Sequence, residues 1–138
     1  MKKIIAFLVC AAMLVVAFPV VTSAAGGVST YANNVNACNA YFNINEYGHA
    51  SIVIDYVGYD GITTGATITV QMQKKFLGLF WRDVEGKYWE YTSSQVNYSN
   101  QNVVQLSDKG KYRIVVNFTI YGTGGAADQF EKTAEAEW

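Results

Sequence analysis

Polar and apolar residues alternate with a period of two through most of the chain beyond residue 35, in runs bounded by Gly, Asn, Asp or Ser. The clearest run extends from Tyr112 to Tyr121. One side of that run consists of aromatic and aliphatic residues only: Tyr112, Ile114, Val116, Phe118 and Ile120. Because successive side chains of a strand point to opposite faces, the alternation predicts half-buried antiparallel strands.

Shorter runs of the same kind occupy the rest of this region. They span 38–45, 50–55, 67–73, 80–84, 87–91, 103–106 and 129–137. The runs 80–84 and 87–91 form one strand or two, depending on how the chain passes Glu85-Gly86. About seven strands in roughly 105 residues, with turn residues at short spacing, are typical of a β-sandwich. The sequence therefore predicts an all-β protein, an antiparallel immunoglobulin-like β-sandwich of about seven strands.

The first 25 residues have a different character. Lys2 and Lys3 precede an apolar stretch, and the segment ends in the small residues Ala24 and Ala25. This order predicts a signal peptide over residues 1–25, cleaved after Ala24 or Ala25; the alternative is a retained membrane anchor. We then expect a flexible N-terminal segment over 26–35 and the β-sandwich domain over 36–138. Removing Lys2 and Lys3 leaves eight Lys and Arg against eleven Asp and Glu, a formal charge of about −3.

Composition and motifs narrow the functional classes. A mildly acidic mature chain has no electrostatic footprint for nucleic acid, and one His with two Cys is too few for a zinc site. The single candidate base, His49, lies in a turn-like Gly-His-Ala sequence, and no Gly-x-Ser-x-Gly elbow is present. We therefore expect no catalytic residues, no metal site and no cofactor. We also expect no transmembrane segment after signal cleavage, and an extracellular location, secreted or associated with the cell surface.

The segment from Leu106 to Ile114 carries a structural motif. Asp108, Gly110 and Tyr112 precede the long alternating strand in the order Asp-x-Gly-x-Tyr. This spacing resembles the tyrosine corner of immunoglobulin-like sandwiches, in which the Tyr hydroxyl bonds to the upstream backbone. Ile114 stands two residues after the Tyr, where antibody domains have a Cys, so we expect apolar packing there rather than a disulfide.

Aromatic residues are dense between residues 76 and 91, where they are interleaved with Lys and Arg. The segment Phe76-Leu77-Gly78-Leu79 looks like a hairpin tip that carries apolar residues where polar ones are usual. In the run 87–91 the period of two sends Tyr88 and Trp89 to opposite faces. We predict a contact surface here, with Trp81 in the core. The candidate binding residues are Phe76, Leu77, Phe80, Tyr88 and Trp89.

Four short motifs carry a wider resemblance. They are Gly48-His49-Ala50, Gln71-Met72-Gln73-Lys74-Lys75, Trp81-Arg82-Asp83-Val84 and Lys109-Gly110-Lys111-Tyr112-Arg113. With these motifs the mature chain resembles an uncharacterised family of small secreted proteins of Firmicutes with an immunoglobulin-like β-sandwich. The resemblance implies a secreted Gram-positive bacterial β-sandwich and no particular activity.

The functional expectation is a non-catalytic extracellular or cell-surface binding module that contacts an unknown extracellular protein or glycan. Two alternatives remain open at this point. One is a small carbohydrate-binding or hydrolytic accessory protein, which would use aromatic stacking and carboxylates. The other is a bacteriocin-like secreted toxin.

Overall fold

The computed structural model describes residues 32–138, which form seven β-strands and no helix. The strands are β1 (Val35–Ile44), β2 (His49–Gly58), β3 (Thr63–Phe76), β4 (Phe80–Ser93), β5 (Asn97–Gln105), β6 (Lys111–Gly122) and β7 (Asp128–Glu137). All strand pairs are antiparallel. The all-β prediction with seven strands is confirmed. The predicted signal peptide, residues 1–25, lies outside the described residues.

The strands form two sheets, one with the order β1-β2-β5 and the other with the order β4-β3-β6-β7. In the constant-type immunoglobulin arrangement the fourth strand pairs with the fifth. Here β4 pairs with β3 instead, so the fourth strand has moved to the edge of the other sheet. The other six strands are arranged in their sheets as in that sandwich, with its Greek-key connections.

The core lies between the two sheets and is built from every second residue of the central strands. Ala50, Ile52, Ile54 and Tyr56 of β2 face the even-numbered residues of β3 and β6 across the sandwich. In β6 all five residues of the predicted apolar side are buried, from Tyr112 to Ile120. The alternation in the sequence therefore correctly predicts which side chains of the central strands point into the core.

The runs 80–84 and 87–91 belong to one continuous strand, β4. Between the pairs Gln71↔Tyr88 and Gln73↔Asp83, one residue of β3 is opposite four residues of β4, which is a large β-bulge. Gly86 adopts a φ of 69° in this bulge, a conformation that favours glycine. The side-chain Nε2 of Gln71 on β3 donates to the backbone carbonyl oxygen of Lys87 at 3.4 Å and so supports the bulge from the neighbouring strand.

The bulge changes which residues of β4 face the core. Three extra residues are an odd number, so the alternation before the bulge is reversed after it. Trp89 consequently packs on the core side, whereas Trp81, also odd-numbered, lies on the outer face opposite Lys75. The expectation that Trp81 fills the core is therefore wrong. It assumed an uninterrupted period of two along β4, and the three extra residues of the bulge break that period.

The N-terminal end of the described chain is tied into the sandwich. β1 begins at Val35, one residue before the start expected for the domain, and Asn34 is completely buried. The Asp128 carboxylate accepts the backbone N–H groups of Asn33 at 3.1 Å and Asn34 at 2.7 Å. Residues 33–35, predicted from the sequence to lie in a flexible segment over 26–35, are thus part of the packed domain.

The Asn34 side chain completes this anchor. Its Nδ2 donates to the Ala126 carbonyl oxygen at 2.8 Å, and its Oδ1 accepts the Gly124 N–H at 3.1 Å. Its backbone carbonyl accepts a hydrogen bond from the Thr63 hydroxyl. One buried residue, Asn34, therefore holds the start of β1 against the β6–β7 connection through its side chain and against the start of β3 through its backbone.

Replacing Asn34 with Ala is expected to lower the free energy of unfolding by about 1–2 kcal/mol, because it removes two hydrogen bonds made by a completely buried side chain. The partner groups, the Gly124 N–H and the Ala126 carbonyl, belong to exposed residues, so water replaces part of the loss. The measurement is urea unfolding of the mature protein, followed by circular dichroism. Asn43→Ala on the exposed side of β1 is the matched control and should change stability by less than about 0.5 kcal/mol. Equal effects of the two substitutions would contradict the anchor.

Candidate functional site

The β3–β4 hairpin projects beyond the strands beside it. The pairing of β3 with β6 ends at Lys74↔Tyr112, whereas the pairing of β3 with β4 continues through Lys75↔Trp81 to Phe76↔Phe80. The last two residues of β3 therefore have a partner strand on one side only. We call residues 76–80 the hairpin tip.

The turn at the hairpin tip is tight and has an unusual residue in it. The Leu79 N–H donates to the Phe76 carbonyl oxygen at 3.0 Å, and the two residues between them, Leu77 and Gly78, have φ values of 51° and 68°. Two consecutive positive φ values are the signature of a type I′ turn, which strongly prefers Asn-Gly. Gly78 suits this turn, whereas Leu77 is a branched side chain held in the left-handed region at an energetic cost.

The large apolar side chains of the hairpin tip are directed into solvent. Leu77 and Leu79 are 73% and 78% exposed, and Phe76 and Phe80 are 39% and 43% exposed. The two phenyl rings lie side by side with centroids 5.4 Å apart. Contiguous exposed apolar residues of this kind mark contact surfaces on soluble domains.

Cationic side chains lie directly behind the hairpin tip. The guanidinium of Arg82 lies 3.8 Å from the ring centroid of Phe76 and 5.2 Å from that of Phe80. Lys74, opposite Arg82 in the ladder, lies over the Tyr112 ring at 5.4 Å. Lys74, Phe76 and Arg82 line part of a shallow cavity of about 310 Å³ along the hairpin. Arg82 thereby covers one face of the aromatic pair and keeps its charge at the base of the hairpin tip.

The opposite face of the hairpin is also aromatic and cationic. The Trp81 ring is approached by the Lys75 ammonium at 5.4 Å and by the Arg113 guanidinium at 4.5 Å. Arg113 Nε donates to Gln73 Oε1 at 2.7 Å, and Gln73 Nε2 donates to Asp83 Oδ1 at 2.7 Å. These two hydrogen bonds hold the Arg113 guanidinium in place beside the Trp81 ring on the outer face of the four-stranded sheet.

The structure brings together three of the five candidate binding residues, Phe76, Leu77 and Phe80. Tyr88 is opposite Gln71, five residues back along β3, which places it about 17 Å from the hairpin tip on the outer face. Trp89 is partly buried and packs against the core. Tyr88 and Trp89 are therefore not part of the same surface.

Leu79 and Arg82 also belong to this surface, although the sequence did not predict them as binding residues. Leu79 lies within the turn, and its exposure follows from that position alone. Arg82 joins the phenyl rings because it is two residues from Phe80 on the same strand, before the bulge reverses the alternation. The spacing of two between Phe80 and Arg82 is the signal that could have identified it.

The four predicted structural residues lie directly beside the hairpin. The Tyr112 hydroxyl donates to the Asp108 carbonyl oxygen at 2.6 Å, which is the hydrogen bond of a tyrosine corner. Gly110, with a φ of 148°, forms a backbone pair with the C-terminal Trp138. Ile114 is completely buried in the core. Lys74 Nζ lies 3.8 Å from the Asp108 carboxylate, so the corner also contacts the base of the hairpin.

Groups with chemical reactivity are dispersed over residues 32–138. No cluster of three or more His, Cys, Asp or Glu side chains in that range is placed to hold a metal ion. His49 is exposed, and its Nδ1 lies 3.4 Å from the Asn45 amide. Cys38 is buried in β1, and this burial raises the pKa of its thiol to about 11.

No protein-family model matches the sequence, and no curated protein matches it. Within residues 32–138 there is also no helix that is long and apolar enough to cross a membrane.

The buried Cys38 thiol is expected to be inert in the folded protein. At pH 8 a thiol reagent such as DTNB should react with it much more slowly than in the urea-unfolded chain, because the thiolate is the reactive species. The unfolded thiol ionises near pH 9 and the folded thiol near pH 11. Because the folded-state pKa is the higher one, the contribution of the protonated Cys38 thiol to the free energy of unfolding is complete below pH 9. This contribution is lost as the pH rises from 9 toward 11. Equal labelling rates for the folded and unfolded protein would contradict the burial of Cys38.

Replacing Leu77 with Asn is expected to raise the free energy of unfolding by about 0.5–1 kcal/mol. Asn tolerates the left-handed conformation better than Leu, and the exposed Leu side chain contributes little packing. The measurement is the midpoint of urea unfolding. Leu79→Asn is the matched control, since Leu79 is equally exposed but has no positive φ, and it should leave the midpoint nearly unchanged. A destabilised Leu77→Asn variant would show that the turn conformation is assigned incorrectly.

Proposed function

We propose that the chain is a secreted, non-catalytic binding module that acts at or outside the cell surface through its hairpin tip. The observation that carries this proposal is the exposure of four large apolar side chains on one projecting turn, with Leu77 held at positive φ. A turn selected for folding alone would favour Asn at that position and polar residues around it.

Two further features support the interpretation that the exposed apolar side chains of the hairpin tip form a contact surface. The hairpin tip lies beyond the end of the β3–β6 pairing, so its side chains contribute little to the core. The Phe76 and Phe80 rings are held together and covered on one side by Arg82, so the surface is organised before any partner arrives. Preorganisation lowers the entropic cost of association.

The extracellular part of the proposal rests on the N-terminal sequence. Lys2 and Lys3, the apolar stretch and the small residues before Gly26 are the pattern that a signal peptidase recognises. The non-catalytic part rests on the character of the surface itself. Residues 74–82 contain no Ser, Thr, Cys or His and no carboxylate, so this segment offers no pairing of a nucleophile with a general base.

A second candidate, a glycan-binding function, is favoured by the outer face of the β1-β2-β5 sheet. Three ladder rows place nine residues there: Asn39, Asp55 and Ser99; Tyr41, Val53 and Gln101; Asn43, Ser51 and Val103. Asp55 is the only charged residue of the nine, and it accepts a hydrogen bond from Asn39 at 2.8 Å. Amide and hydroxyl groups around an aromatic ring that is 58% exposed, that of Tyr41, suit a neutral sugar.

One binding experiment tests both candidates. The protein is recovered from the culture medium, where it should begin at Ala25 or Gly26, and is incubated with washed cells of the producing strain. Cell-bound protein is then measured by immunoblotting. The double variant Leu77→Asn with Leu79→Asn should lose most of the bound fraction with an unchanged circular dichroism spectrum, because both side chains are exposed.

Tyr41→Ala is the variant for the second candidate. Loss of cell binding in Tyr41→Ala, with full binding by the hairpin-tip variant, would favour the glycan candidate and reject the hairpin tip as the contact surface. Unchanged binding by both variants would reject both surfaces. A protein that stays inside the cells would contradict the extracellular location.

A further inference from the structure

We propose that the partner of the hairpin tip is the surface of an anionic lipid bilayer, into which the apolar side chains of the tip insert. This inference rests on the proposed function, because it names the partner of the same surface. Three observations carry it: the depth of the apolar tip, the position of the cations behind it, and the contrast in charge between the hairpin and the rest of the chain.

The apolar part of the hairpin has the depth of an interfacial anchor. Leu77 and Leu79 form the outermost turn, and the Phe76↔Phe80 pair lies directly behind them. An apolar face that binds at the membrane interface is buried about 5–10 Å into the boundary between headgroups and acyl chains. A turn and one residue pair span a comparable depth, at about 3.3 Å for each residue along a strand.

The cations lie where lipid phosphates would be. The next two pairs behind Phe76↔Phe80 are Lys75↔Trp81 and Lys74↔Arg82, about 3 Å and 7 Å further back along the ladder. All three of these cations are thereby placed behind the apolar turn at headgroup depth. Trp81 lies at the same level, and aromatic rings of this kind prefer the membrane–water interface.

Charge complementarity selects an anionic surface over a neutral one. Residues 61–82 contain Lys74, Lys75 and Arg82 and no Asp or Glu, whereas the mature chain as a whole is acidic. Two carboxylates border this group on the side away from the tip: Asp83, next to Arg82, accepts a hydrogen bond from Gln73, and the Asp108 carboxylate lies 3.8 Å from the Lys74 ammonium. The hairpin therefore presents positive charge toward its tip while the rest of the domain is repelled by an anionic surface, which orients the molecule with the tip toward the membrane.

A protein groove or a second copy of this chain could also accept apolar side chains. Such a partner does not by itself account for cations that encircle the hairpin on both faces, Arg82 on one and Lys75 with Arg113 on the other. A planar anionic surface engages both faces at once. The bilayer is therefore the partner whose geometry and charge fit the whole hairpin.

The test is flotation of the mature protein with vesicles of phosphatidylcholine alone or with one quarter phosphatidylglycerol. We expect binding to the anionic vesicles that weakens as salt is added, and little binding to the neutral ones. A blue shift of tryptophan emission should accompany binding, because Trp81 enters the interface while Trp89 and Trp138 stay packed against the core.

Two matched pairs of variants locate the contact. Leu77→Asn with Leu79→Asn should lower the partition coefficient more than about tenfold, whereas Val57→Asn, at an exposed apolar position on the other sheet, should leave it unchanged. Arg82→Gln should lower it about fivefold, whereas Lys132→Gln on β7 should have little effect.

The outcomes separate this inference from the proposed function. No binding of the unsubstituted protein to anionic vesicles, or equal loss in the tip variant and in Val57→Asn, overturns the lipid assignment. If the tip variant still loses cell binding in that case, the proposed function stands with a different partner. A dimer in size-exclusion chromatography that dissociates in the tip variant, without vesicle binding, identifies a second copy of the chain and also overturns the lipid assignment.

Discussion

The pairing of β3 with β6 is the constraint on which the rest of the structure depends. These two strands form the centre of the four-stranded sheet, and their even-numbered residues supply much of the buried core. A slip of one residue would turn Ile68, Val70 and Met72 toward solvent, so burial specifies the register strongly. β4 and β7 are then placed by pairing with the outer edges of this central pair.

The same register determines where the hairpin tip lies. Because β6 begins at Lys111, its pairing with β3 ends at Lys74, and the residues of β3 beyond that point extend past the sheet. The bulge in β4 lets this extension continue with regular pairing on the other side of the inserted residues. Strand lengths and one bulge therefore produce a projecting surface from a fold whose core is otherwise simple.

The sequence predicts those features that depend on period two without interruption. The side-chain facing of β2, β3 and β6 is of this kind. The hydrogen bond of Tyr112 was predictable for another reason, the local Asp-x-Gly-x-Tyr motif. Trp81 could not be placed correctly, because the number of residues in a bulge is decided by local backbone geometry at Gly86. The role of Asn34 was also hidden, since its partners Gly124 and Ala126 are about 90 residues away along the chain. The separation of Tyr88 and Trp89 from the hairpin tip likewise depends on the register between β3 and β4, which the sequence does not show.

Leu77 shows how stability and contact oppose each other in this molecule. In the turn, its side chain costs conformational energy and gains no packing, so the folded state would be more stable with Asn in its place. The same side chain is among the most exposed apolar groups of the described residues. An apolar residue at a strained, solvent-facing position contributes free energy only when something covers it. If an anionic membrane is what covers it, the cations behind it supply long-range attraction and orientation, and Leu77 supplies the affinity after contact.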